Sequence, residues 1–361
     1  SLRLLVERNE ESPDTSLEVS CGRGAEVTGR DGGGPMPSKS SNPWFVWPLL
    51  VVGVTAVASA ATVFDSMPHV PALLLASWRL QLTTLFLFPG AVVQYRRMAD
   101  AERAETRRSS WLLVASGLCL AAHFGCWVWG IQHTTLTHSL LLVSATPVLL
   151  ALGTLFLCRP ISRGEILGTG LGTAGAVVLA MGRGSDPTHD VTIAGDLASL
   201  GGAVAMVGYL AAGAKLRGAH MPLFVYAMPV TGVGAAALSL ASMVTESSHL
   251  VAVGAGGVFG WLASVYWWKV LYLATGPGLL GHTGFNLLLT WLTPLTISLA
   301  LTMEPVIGSF IGWAAGLSAP PGVASLLGGA MLMVAVVTVT VSTHVRQLAE
   351  AKAAGALAGD T

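Results

Sequence analysis

Apolar runs of 18 or more residues recur along almost the whole chain, and each is long enough to cross about 30 Å of hydrocarbon. They fall near 45–64, 70–92, 111–131, 138–158, 165–182, 195–214, 222–243, 265–290, 294–316 and 322–343. This predicts an all-α membrane protein with ten transmembrane helices. Composition agrees: 53% of the 361 residues are hydrophobic and 11% charged, against about 25% charged in an ordinary soluble domain. The charges gather in residues 1–43, in short connectors and in the last 18 residues. A net charge of zero gives no reason to expect nucleic acid as a partner. Of four cysteines, Cys119 and Cys126 share one apolar run, which does not suggest a disulfide framework.

Residues 1–43 are rich in Gly, Ser, Arg and Glu and cannot bury enough apolar surface to offset the entropy of ordering, so a disordered tail is expected. They carry no signal-peptide pattern, and Ser1 in place of Met leaves room for sequence upstream. Residues 344–361 read as a second tail, a short surface helix or a frayed end. Basic residues set the orientation. With the N-terminus in the cytosol, 16 of the 19 fall on that side, including Arg96, Arg97, Arg103, Arg107 and Arg108 after the second span. Only Arg183 lies in an outer loop, while Arg79 and Lys269 lie within spans. Both termini are therefore expected in the cytosol, which requires an even number of spans. An eleventh span over 250–274 would break that rule, so 250–263 reads as an outer segment at the interface, with its Trp and Phe at headgroup depth.

Sliding the chain on itself by 158 residues sets SATPVL, from Ser144, on TMEPVI, from Thr302. Pro147 then meets Pro305, Gly164 meets Gly322, Gly170 meets Gly328, and His123 falls one residue from His282. Five spans per half, an odd number, force the second half to insert upside down. Inverted repeats of this kind place a transporter's site at the repeat interface near mid-membrane. The expected units are 45–182 and 195–343.

GHTGFN at 281–286, EPVIGSFIGW at 304–313 and PALLLASWRLQ from Pro71 resemble the drug/metabolite transporter superfamily, and within it the EamA-type proteins. The resemblance covers roughly 45–343 and implies a ten-helix transporter of small organic solutes. Many relatives carry a Gly-Glu pair after the Pro-bearing span. The first half has it as Gly164 and Glu165, but the second reads AAGLSAPPG.

Thr293 and Pro294 suit a helix start at the turn between spans 8 and 9. Counting about 1.5 Å per residue from there puts His282 and Glu304 at one depth, each roughly 15 Å from the turn. Asn286, one turn from His282, shares its face. These groups either pair or jointly face a wet cavity. Ionising Glu304 alone at that depth costs about 2.5–3.5 kcal/mol on insertion scales. It is therefore protonated or partnered, handling substrate or protons, or tying span 9 to a neighbour. His282 and His123 are read as lining the interface between halves or as satisfied core residues. Arg79 is read as snorkelling outward to Asp65 or as an anion anchor. Tyr209, inside span 6, is the aromatic best placed to stack on a solute, whereas Trp127, Trp129, Trp268 and Lys269 read as belt or anchor residues. The GPG at 276–278 interrupts span 8, and GTGLGTAG at 168–175 reads as a close-packing seam.

No HExxH, GxSG or GxGD pattern appears, and the histidines lack metal-ligand spacing. An enzyme, a metal site and a cofactor are not expected. The function read is a secondary transporter of a small organic solute by alternating access, with proton coupling through Glu304 or His282 as an option. A transport-inactive scaffold of the same fold is the alternative. The partners expected are the solute, protons, the lipid bilayer and, as an option, a second copy of the chain.

Overall fold

Apolar runs rich in Leu, Val and Ala satisfy their backbone only within themselves when water is absent, and helices follow. The computed structural model describes residues 43–156, 161–181, 189–218, 221–251, 254–263, 265–288, 291–292, 297, 300–301 and 303–359. The predicted N-terminal tail up to residue 42, and the turn at Thr293 and Pro294, lie outside the described residues. The helices are α1 (Val46–Asp65), α2 (Ala72–Arg97), α3 (Asp100–Arg108), α4 (Ser110–Ile131), α5 (Leu136–Val143), α6 (Thr146–Phe156), α7 (Arg163–Ala180), α8 (Ile193–Gly218) and α9 (Leu223–Thr245). Then come α10 (Trp267–Leu273), a π-helical stretch (Ala274–Thr283), α11 (Gly284–Leu288), α12 (Glu304–Ala314) and α13 (Val323–Gly359). An isolated β-bridge joins His249 and Gly257.

Six of these, α1, α2, α4, α8, α9 and α13, are long and apolar enough to cross a membrane. The pair α5–α6, bent by 40°, adds a seventh if the two helices are one span and not a re-entrant loop. The chain is thus a helical, multi-pass membrane protein. The other predicted spans are shorter or interrupted, α7 having 18 residues and α12 having 11, so ten passes is a proposal and not an observation. Outward faces carry large apolar side chains, Val51, Leu85, Val244 and Leu326 among them, as a lipid-facing surface requires.

Lipid is as apolar as leucine, so helix association rests on close packing of small residues rather than on escape from water. The seams bear this out. A Cβ at Gly175 of α7 would come within 2.9 Å of the Gly328 carbonyl on α13, and one at Gly168 within 2.7 Å of Val339. The 168–175 motif is therefore the packing seam read from the sequence. On α4, a Cβ at Gly117 would lie 2.6 Å from Val233 of α9. The most extensive pairings are α7 with α13, α4 with α8 and α2 with α9. Next come α4 with α9, and α1 with both the π-helical stretch and α12. The main core gathers Phe64, Trp78, Phe124, Trp127 and Tyr226 between α1, α2, α4 and α9.

α2 and α9 cap each other. The Glu246 carboxylate, at the end of α9, accepts from the backbone N–H of Leu73 (2.9 Å) and Leu74 (3.1 Å) in the first turn of α2. At the opposite end, Gln94 of α2 accepts from the Phe224 N–H in the first turn of α9, at 2.8 Å. Both helices follow a proline, Pro71 and Pro222, whose fixed φ suits a helix start. Ser77 with Ser239 (2.6 Å) and Thr84 with Thr231 (2.9 Å) bridge them in between.

Two helix starts repeat as well. α6 begins at Thr146 with Pro147 second, just past Ser144, and α12 begins at Glu304 with Pro305 second, just past Met303. These are the aligned SATPVL and TMEPVI segments.

The last helix, α13, runs unbroken to Gly359, since nothing between His344 and Lys352 stops a helix. The segment read as lying at the interface is tied to the bundle. The Trp78 indole N–H donates to the Gly257 carbonyl (3.0 Å), Gln81 donates to Val258 (3.0 Å), and the Trp261 indole N–H donates to Gln81 (2.8 Å). Residues 254–263 are thus a strap held against α2, leaving Phe259 and Leu262 exposed at its outer side.

Candidate functional site

α2 turns Trp78 and Arg79 inward, and Arg79 is only 1% exposed. Its guanidinium lies over the Phe124 ring of α4 at 4.4 Å and near Phe64 of α1 at 5.9 Å. Nε and Nη1 have no hydrogen-bond partner. The outward pairing with Asp65 is not formed: Asp65 faces His189 at 3.4 Å, and the arginine points into the helix bundle instead.

His282 enters from the π-helical stretch. Pro277 has no N–H to give, and the backbone there widens, with Thr283 Oγ1 donating to the Gly278 carbonyl five residues back (3.1 Å). The His282 ring meets the edge of Phe124 at 5.7 Å. Asn286, on α11, donates from Nδ2 to the His282 carbonyl (2.9 Å). Tyr209 of α8 lies beside Tyr226, ring centres 6.4 Å apart, and beside Asn286. Arg79, Thr83, Phe124, Tyr209, His282 and Asn286 all line one narrow cavity of about 30 Å³, room for a water or two as it stands.

The remaining two candidates stand back from that cavity. His123 is buried, donates from Nδ1 to the Gly202 carbonyl (2.9 Å) and stacks on Trp127. The absence of a side chain at Gly202 lets α8 approach: a Cβ there would be 3.1 Å from the His123 carbonyl. Glu304 opens α12 and interacts electrostatically with Arg79. Among the described residues it forms no direct ion pair, with Arg79 or with His282.

Other groups went unread in the sequence, or were read there without their partners. Phe124 is the platform for both Arg79 and His282, yet as one apolar residue in an apolar run it gives no signal. His138 donates from Nδ1 to Asp196 (3.2 Å), which also accepts from Thr134 (2.7 Å), all three buried between α5 and α8. An Asp inside the sixth apolar run was the available clue. Glu165 accepts from Ser162 N–H (2.7 Å), Thr343 (2.7 Å) and Arg346 (3.0 and 3.1 Å), joining α7 to α13. No group of three or more His, Cys, Asp or Glu with metal-holding geometry occurs among the described residues.

Residues 45–181 match the EamA-like transporter family. The matched segment spans α1 to α7. It supplies Arg79, His123 and Phe124, while Tyr209, His282, Asn286 and Glu304 come from beyond it. A solved crystal structure is similar in fold at 20% sequence identity, with a TM-score of 0.53, covering 82% of this chain and 96% of that one. That likeness extends past the EamA-like segment. No curated protein matches the chain.

Proposed function

We propose that the chain is a secondary transporter, moving a small organic solute by alternating access between two inverted five-helix halves, 45–182 and 195–343, with both termini cytosolic. The observation that carries this is an exchange symmetry in the helix pairings. Number the spans as α1, α2, α4, α5–α6, α7 and then α8, α9, α10–α11, α12, α13. Swapping each for the one five places on turns α4–α8 into α10–α11 with α1, and α1–α12 into α8 with α5–α6. It turns α4–α9 into the π-helical stretch with α2, and leaves α2–α9 and α7–α13 as they are. The mutual caps of Glu246 and Gln94 obey the same exchange, as an antiparallel pair on a pseudo-two-fold axis would. The reading is supported by the cavity's lining from both proposed halves, the arrangement expected where inverted-repeat transporters bind solute. Glu304, next to a helix start and in the field of Arg79, is the group proposed to take up and release protons if transport is proton-coupled.

The second reading, a transport-inactive scaffold, is favoured by the narrowness of the cavity and by the Glu165–Arg346 tie between the closing helices, which has no second-half equivalent.

Reconstitution into liposomes with a panel of amino acids, organic acids, nucleotide sugars and polyamines separates them. Counterflow of at least one solute is expected. Its absence across the panel would favour the scaffold. Glu304→Gln is expected to abolish the pH dependence of flux, and an unchanged pH profile would remove Glu304 from coupling.

A further inference from the structure

We propose that the central cavity recognises its solute by a carboxylate, with Arg79 as the recognising cation, so that the solute class is small monocarboxylates. The inference deepens the transporter reading and rests on it for the purpose of the site.

Arg79 sits almost wholly out of solvent in the middle of an apolar core, a costly place for a charge. Aromatic rings take up the broad surface of the guanidinium, Phe124 at 4.4 Å and Phe64 at 5.9 Å. Rings cannot satisfy in-plane N–H groups, and Nε and Nη1 are left without an acceptor. Unmade bonds on a buried cation are expensive, so the arrangement calls for an acceptor supplied from outside. The cavity reaches the arginine, and Leu80, Leu120, Ala227 and Val230 supply its apolar walls, beside the hydroxyls of Thr83, Thr231 and Thr283. Those walls suit a short apolar body attached to the anion. Only one cation faces the space among the described residues, which matches one negative charge and not two. Glu304 acts on the arginine without a direct ion pair and leaves the donors free. His123, the other base near Arg79, uses Nδ1 on the Gly202 carbonyl, and no hydrogen bond joins it to the arginine's Nε or Nη1. An arginine whose face is fixed by stacking is an oriented donor, the geometry in which this residue outperforms lysine toward carboxylates.

The test uses the full chain in lipid nanodiscs and reads the thermal unfolding midpoint against ligand concentration, since a ligand binding the native state raises it. The probes are pyruvate, butyrate and benzoate, each beside its neutral amide. At least one carboxylate should raise the midpoint in a saturable way while its amide does not. Arg79→Lys should weaken that binding roughly tenfold or more. Should that variant fail to fold, Leu120→Phe, which fills the cavity from an apolar wall, should weaken the same carboxylate. No response of the wild type to any carboxylate, an equal response to the amides, or undiminished binding in the folded variant would each overturn the proposal. Counterflow of neutral or cationic solutes with no carboxylate effect would sink this inference and spare the transporter reading. Carboxylate binding without any counterflow would do the opposite.

Discussion

Glu165 is 1% exposed at its side chain, and its charge is held by a bidentate arginine, a hydroxyl and a backbone N–H. Removing Arg346 strands a buried carboxylate, whereas Glu165→Gln removes the charge together with its need for a partner. Arg346→Ala is therefore expected to cost more than Glu165→Gln, by up to about 3 kcal/mol, with the partial exposure of Arg346 lowering the figure. Thermal unfolding of both single variants and the double variant checks this; equal losses in the two singles would refute it. The Gly164–Glu165 pair was legible in the sequence because a known pattern carries it. Its partner, 181 residues further on, was not, since it falls beyond the last apolar run. Arg79 shows the same limit. Its depth followed from counting residues, but its direction depends on Phe124, and no local pattern records which of two helices supplies a ring.

Helix pairs depend on what faces the seam. At Gly175 a methyl group would meet the Gly328 carbonyl at 2.9 Å, while at Gly170, on the same helix, it would meet nothing within 4 Å. Gly175→Ala is expected to destabilise by about 1–3 kcal/mol, and Gly170→Ala to be neutral or slightly stabilising. Unfolding midpoints in one detergent compare them, and reversed order would contradict the seam. Glu246→Ala should cost about 1–2 kcal/mol through the lost cap on α2, with Glu246→Gln losing less; an unaltered midpoint in the alanine variant would rule out the cap. At this scale the sequence read well wherever period, proline or glycine set the element. The aligned SATPVL and TMEPVI segments became two matching helix starts. The interruption at GPG was visible too, but not its π-helical form, in which Gly281 comes close to Val57 of α1 and Gly278 to Thr83 of α2. The strap's anchoring went unread because its partners, Trp78 and Gln81, lie some 180 residues earlier.

For the molecule as a whole, the proposed topology puts α3 on the cytosolic side and the strap on the other. Single cysteines at Arg103 and His249, in a chain cleared of its own cysteines, are expected to react with an impermeant maleimide from opposite faces of sealed vesicles. Labelling from the same face would rule the topology out. The proposed repeat rests on an odd span count, which dictates inversion whatever the residues are. The fine structure of the centre was not, because it is assembled from α2, α4, α8 and the π-helical stretch, contributions from opposite halves of the chain. The strap carries one last consequence. Two indole N–H groups, on Trp78 and Trp261, are held by protein acceptors only while the strap lies against α2. Any route that lifts it hands both indoles to water, so solute entry from that face should register as a red shift in intrinsic fluorescence, and replacing Trp261 with Phe should shrink the signal.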